Sequence, residues 1–290
     1  MDEVTQSLEA SWRELRRAEL DTVGSLLPHI LTDMDSRRGR DELSAWLLCN
    51  AGFLVQSRRH RFGIDLSLPP QVLESGTDPL APTGMDTLEV WLVTHRHADH
   101  CNPELTAATC RANPGLRVLA PAEAAEILCA GGVPAGQVTV ITAGDSIDLD
   151  GLVVSVEAGD HMKEDVVENL VLSVHVDGFA LMHTGDNCNR ELTFRRNADM
   201  LLFGMRCRSV EGEPFTWGFP DIEDMVEQVV RMQPRHLVCC HLNEVNHVHN
   251  EAWRFLHAAL LKERLWIREP GIRAHLPAPG ERVTCDSAAG

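Results

Sequence analysis

The run Thr94-His95-Arg96-His97-Ala98-Asp99-His100 limits this chain more than any other segment. It sets three imidazoles and a carboxylate within six residues, directly behind the apolar stretch Leu88 to Val93. An apolar run of that length bounded by polar residues reads as a buried strand. In extended backbone, residues two apart point the same way, so His95 and His97 can grip one divalent ion together. A turn from Ala98 would then aim Asp99 and His100 at a second ion. Single histidines are commonly surface or half-buried residues. Four ligand-type residues as His-x-His-x-Asp-His behind a strand are far more specific and outline a bimetal site.

A pair of ions needs further ligands, and candidates stand at the ends of later apolar runs. Leu152 to Glu157 runs into Ala158-Gly159-Asp160-His161. Gly178 to Met182 runs into His183-Thr184-Gly185-Asp186, and Leu237 to Cys240 ends at His241. In two of these, glycine lets the backbone turn close to the ligand.

This set, with Asn50-Ala51-Gly52-Phe53-Leu54-Val55, Gly63-Ile64-Asp65 and His183-Thr184-Gly185-Asp186, resembles the metallo-β-lactamase superfamily of metal-dependent hydrolases. Within it the likeness is to the ascorbate-6-phosphate lactonase-like branch, over roughly Leu43 to Leu276. The resemblance implies one ion on His95, His97 and His161. It implies a second on Asp99, His100 and His241, with Asp186 bridging. Asp160 and His175 stand as alternatives to His161, and without that ligand a single ion is the expectation. The implied fold is α/β, a four-layer αββα sandwich of two mixed sheets with helices outside and the ligands along one edge.

The chemistry implied is hydrolysis. Two bridged ions lower the pKa of a bound water toward about 7 and polarise the oxygen under attack. Asp99 is a candidate to orient the nucleophile or carry its proton as well as to bind metal. The donors are nitrogen and oxygen with no required thiolate, so zinc and manganese are the expected metals and iron stays open. The expected reaction opens a lactone or ester of a small anionic molecule. Phosphodiester cleavage with the same nucleophile and an iron-dependent oxygenase are the alternatives. The diiron flavoprotein type places a glutamate where His97 stands, and a purely binding role does not need seven intact ligand positions. Arg206 and Arg208, after the strand-like Asp199 to Gly204, are candidates to bind a substrate anion through paired hydrogen bonds. Pairing with Glu211 and Glu213 would instead leave them a structural role. Asn187 is a candidate polar contact, and His247 and His249 form a second His-x-His pair expected to touch substrate or to have no role.

Length and composition agree. A chain of 290 residues, 44% apolar and 24% charged, buries a substantial core. Net charge is −17, so the field of the whole molecule opposes nucleic-acid backbone, and a small-molecule substrate is expected. Nine cysteines, scattered and odd in number, do not form a disulfide framework in a chain of this size. Cys101 and Cys240, each beside a proposed ligand, read as small packing residues. Charges from Arg13 to Arg17 stand where a signal peptide needs its apolar region. No stretch approaches the roughly twenty apolar residues of a membrane span, so no membrane partner and a cytoplasmic location are expected.

Along the chain, residues 1–42 read as an N-terminal helical appendage in which Leu8, Trp12, Leu15 and Leu20 recur near helical spacing. It packs on the domain or on a second subunit, which permits a homo-oligomer. Residues 43–276 form the hydrolase domain and 277–290 a frayed tail. Prolines and glycines between Leu66 and Asp86 mark a long loop, a lid or a connector. Helices are predicted over Pro103 to Ala112, over Pro121 to Ala130, from Asp221, and from Asn250. The last strands are predicted near Leu265 to Ile267 and Ile272 to Leu276.

Overall fold

The structure is a computed structural model that describes residues 27–68, 85–161, 167–189, 197–205, 222–242 and 255–287, with the side chains of 255 and 256 excepted. Arg206, Arg208, His247, His249, most of the proposed lid and residues 1–26 of the N-terminal segment lie outside that description.

The first sheet holds β1 (Glu42–Cys49), β2 (Gly52–Gln56), β3 (Arg61–Ile64), β4 (Val90–Leu92), β5 (Arg117–Ala120) and β6 (Val138–Val140). The second holds β7 (Ser146–Leu149), β8 (Leu152–Asp160), β9 (Glu168–Val176), β10 (Phe179–His183), β11 (Met200–Gly204), β12 (His236–Cys240) and β13 (Arg273–His275). A last strand, β14 (Arg282–Asp286), returns to the first sheet and pairs antiparallel with β1. The sheet orders are β14-β1-β2-β3-β4-β5-β6 and β13-β12-β11-β10-β9-β8-β7. In each, one half is antiparallel and the other half parallel.

Period-two side-chain alternation sorts the strand residues into three apolar layers. Leu43, Ala45 and Leu47 of β1 face the second sheet, where Val238 and Cys240 of β12 meet them in one inter-sheet core. Trp46 and Leu48 face outward to a helix layer. There a helix over 27–36 (α1) contributes Leu27, Ile30, Leu31 and Met34, with α2 (Pro103–Ala112) and α3 (Ala122–Ala130) beside it. On the other side, α4 (Ile222–Met232) and α5 (Phe255–Arg268) cover Leu201, Phe203, Leu237 and Cys239. Helix, sheet, sheet, helix is the four-layer sandwich that the resemblance implies.

Two expectations are corrected. Residues 265–267 are helical, because Ala258, Leu261 and Leu265 recur at helical spacing against the second sheet while Trp266 and Ile267 face solvent. The segment read as a frayed tail carries β14, whose Val283 and Cys285 enter the inter-sheet core. Arg282 anchors it to Asp33 of α1, which also accepts from the Trp46 indole at 3.2 Å. The described part of the N-terminal segment is thus packed on the domain.

The topology places the site. Strands β3, β4, β8, β10, β11 and β12 end at the same rim, and the chain leaves that rim through Asp65, His95, His161, Asp186, Met205 and His241. Ligands at the carboxyl ends of strands sit where loops are free to vary over a rigid base.

Candidate metal centre

Two groups of potential ligand atoms converge at this rim among the described residues: His95, His97, His161 and Asp186, then Asp99, His100 and His241. His95 Nε2 and His97 Nδ1 face each other at 3.1 Å, as do the Nε2 atoms of His100 and His241 at 3.2 Å. Asp186, nearly fully buried, lies between the groups. Its Oδ2 is 3.7 Å from His95 Nε2 and 3.5 Å from His161 Nε2. Its Oδ1 is 3.3 Å from His100 Nε2 and 3.2 Å from His241 Nε2. Asp99 Oδ2 joins the second group at 3.2 Å from His241 Nε2 and 3.4 Å from His100 Nε2.

All seven sequence-predicted ligand positions are therefore brought together. The alternatives to His161 are not. Asp160 turns its Oδ2 to Asn189 Nδ2 at 2.7 Å. His175 is paired with Ala180 near the β9–β10 turn, at the opposite rim. The Asn187 carboxamide is engaged within its own loop. Its Oδ1 accepts from the backbone amides of Asp160 and Asn189, and its Nδ2 donates to the Asn189 carbonyl.

Residues behind the ligands fix which nitrogen faces inward. Asp65, fully buried at the end of β3, accepts from the Thr94 amide at 2.8 Å and the Thr94 hydroxyl at 2.6 Å. It also accepts from His100 Nδ1 at 2.8 Å. With its hydroxyl hydrogen committed to Asp65, Thr94 Oγ1 accepts from His95 Nδ1 at 3.0 Å. Both imidazoles then keep Nδ1 turned to these acceptors and aim Nε2 at the centre, the nitrogen each would offer a metal. Asn169 of β9 holds the turn before the bridging carboxylate: its Oδ1 accepts the Asp186 amide at 3.0 Å and its Nδ2 donates to the Thr184 carbonyl at 3.3 Å. Gly185 adopts φ +53°, and a Cβ there would run into Asn169 Oδ1 and Thr94, so the turn needs glycine.

The electrostatics fit a cationic occupant. Burial pushes the His100 imidazolium down, but Asp186, Asp99 and Asp65 outweigh it and hold its pKa well above the usual histidine range. Burial would raise Asp99, and the imidazoles of His100 and His241 instead hold it well below the usual carboxylate range. Burial, and then the charge of His100, push His95 well below its usual value. Two carboxylates, Asp99 and Asp186, thus face His100 Nε2 with Asp65 behind the ring at Nδ1, and together they favour positive charge there. The facing pairs of imidazole nitrogens, of which at most one in each pair can carry hydrogen, fit metal ligation better than hydrogen bonding. Among the described residues no thiolate belongs to either group: Cys101 and Cys240 lie in apolar layers, burial pushing the first to about 12 and the second well above its ordinary value.

Sequence reading gave no role to Asp65, Thr94, Asn169 or His183. Asp65 carries the same signal as the ligands, an ionisable residue at the end of an apolar strand. Asn169 carries none, since its partners lie 15 and 17 residues away.

Comparison with known proteins follows the geometry. A family model described as a β-lactamase superfamily domain matches residues 45–242. Comparison of the sequence with curated proteins gives no match. Among solved structures, the chain is similar to Igni18, a metallo hydrolase from Ignicoccus hospitalis. The two share 18% identity and a TM-score of 0.60 over 85% of this chain and 100% of that one. It is also similar to an isothiocyanate hydrolase from Delia radicum gut bacteria, at 16% identity and TM-score 0.56, covering 83% and 98%. A third is CmlA, a diiron β-hydroxylase from Streptomyces venezuelae, at 15% identity and TM-score 0.61, covering 85% and 54%. These identities bear on the fold alone.

Proposed function

This chain belongs to the β-lactamase superfamily domain family, and from that premise we propose that it is a metal-dependent hydrolase acting on a lactone or ester of a small anionic molecule. The observation that carries the reading is the divided carboxylate of Asp186, one oxygen toward His95 and His161 and the other toward His100 and His241. His95, His97 and His161 would hold one divalent ion and Asp99, His100 and His241 the second, with Asp186 shared. Zinc or manganese suits the nitrogen and oxygen donors. Bound there, the ions supply Lewis acidity for the carbonyl oxygen and bring the pKa of water toward about 7.

The chain's own residues supply the rest. Asp99 is 17% exposed at its side chain against 1% for Asp186, so it is the carboxylate of the set that solvent reaches. That suits it to orient the attacking water through a hydrogen bond. Asp65 and Asn169 hold the ligands in register, so little reorganisation is needed when charge develops on the substrate. The backbone returns to the rim at Met205, whose amide donates to the Cys240 carbonyl at 3.0 Å, beside His241. Arg206 and Arg208 follow directly, and we assign them to an anionic substrate group. The net charge of −17 favours a small anion held by local cations over nucleic-acid backbone.

The test is a panel of lactones, carboxylic esters and cyclic phosphodiesters, assayed with zinc-loaded, manganese-loaded and chelator-treated protein. Metal-dependent turnover of a lactone or ester is expected. Turnover confined to phosphodiesters would move the assignment within hydrolases. The same donor set would accept iron, and oxygen consumption by iron-loaded protein without hydrolysis would replace it with an oxygenase.

A further inference from the structure

We infer that His183 is a positioning residue that ties the turn carrying Asp186 to the β1–β2 turn and so fixes Asp186 relative to His241. The inference rests on the reading of Asp186 as the shared ligand.

His183 ends β10, is fully buried, and has both ring nitrogens engaged by backbone. Nε2 lies 2.9 Å from the Ala51 carbonyl oxygen, and Nδ1 accepts the Gly185 amide at 2.9 Å. A carbonyl can only accept and an amide can only donate, so the ring is neutral with its hydrogen on Nε2. Neither nitrogen is left to ligate an ion, although the ring lies beside the centre.

The neighbouring carbonyl of the same turn does the matching task. Asn50 O accepts the His241 amide at 2.8 Å. Two successive carbonyls of the first sheet thus hold two ligands delivered by the second sheet. Asn50 holds His241 directly, and Ala51 acts through His183 on the amide immediately before Asp186. Both held segments have left-handed backbone, His241 at φ 63° and Gly185 at φ 53°. For histidine this conformation is uncommon and persists where the surroundings over-determine it. Phe53 sets its ring edge-on to His183 at 6.1 Å between centroids, which opposes rotation of the imidazole out of this bridge.

The two halves of the bridge can be separated chemically. In His183→Asn, Oδ1 stands where Nδ1 stood and can still accept the Gly185 amide. In His183→Gln, Nε2 can still donate to Ala51, but the Gly185 amide loses its acceptor. His183→Phe removes both. Zinc binding by competition with a chromophoric chelator should show two sites in the wild type. It should be retained within about threefold in His183→Asn and weakened about 10- to 100-fold in His183→Gln and His183→Phe, the scale of losses behind metal ligands. Wild-type zinc affinity in His183→Gln, or equal losses in His183→Asn and His183→Phe, would overturn the inference. Should these variants not fold, ¹⁵N NMR of the wild-type metal-free protein decides it. A hydrogen on Nε2 with bare Nδ1 is expected, and an Nδ1–H tautomer or an imidazolium would overturn it. If the wild type binds no zinc, the functional reading falls, and the ¹⁵N experiment still decides the bridge.

Discussion

Asp65 makes three hydrogen bonds to the turn that carries the histidines, two to Thr94 and one to His100. Asp65→Asn keeps the shape but gives up the charge that orients His100 Nδ1–H. Metal affinity is expected to fall about 10- to 100-fold, read by chelator competition; an unchanged affinity would show that Asp65 serves only the backbone. Far from the site, His236 is 3% exposed and sits 3.1 Å from His275 Nε2. Burial, then the charges of His275, Arg273 and Arg235, lower its pKa to about 4. Its unfolded form binds a proton below about 6.5 that the folded form refuses until about 4. Stability is therefore complete above that window and falls as pH drops through it, by at most about 1.4 kcal/mol per pH unit for this group. Urea denaturation at pH 7, 6 and 5 should show a shallower decline in His236→Gln than in the wild type. At this scale the seven ligand positions were legible because ligand chemistry is carried by residue type and strand ends. The hydrogen bonds of Asn187 to Asp160 and Asn189 were not legible, because they are products of tertiary folding.

The strand β14 shows what an element adds that its own sequence hides. Arg282 to Asp286 has modest apolar content, and only pairing with β1 brings Val283 and Cys285 into the inter-sheet core. Val283→Ala removes two buried methyl groups and should cost about 1.6 kcal/mol, measured by chemical denaturation. No loss would mean the strand is not docked in solution. The Thr184–Asp186 turn makes the complementary case, since Gly185→Ala strains a positive φ and presses a methyl against Asn169 Oδ1 and Thr94. This variant should lose zinc binding at least about tenfold while keeping its helix and sheet content by circular dichroism. Most elements were legible from apolar runs and turn residues, including α2 from Pro103 to Ala112. The apolar run at 265–267 was misassigned because the periodicity that decides it, Ala258, Leu261 and Leu265, begins a full turn and more earlier.

For the whole molecule, the fold is two sheets whose strand ends bring ligands from distant sequence to one rim, where the cluster of histidines and carboxylates is mostly buried and only His97 and Asp99 are partly exposed. Such a site couples metal to stability: zinc at a hundredfold excess over its dissociation constant should add about 2.7 kcal/mol per site. Thermal denaturation with and without chelator reads this directly. Among the described residues no helix is long and apolar enough to cross a membrane. The four-layer arrangement was legible only through the resemblance carried by the ligand motif, since strand and helix order alone permits several α/β folds. The central claim is tested most directly by counting metal and following turnover on the same sample. The account predicts about two divalent ions per chain, loss of hydrolysis when they are stripped, and recovery when zinc or manganese is restored. A chain that binds no divalent ion, or that hydrolyses equally well once stripped, would contradict it.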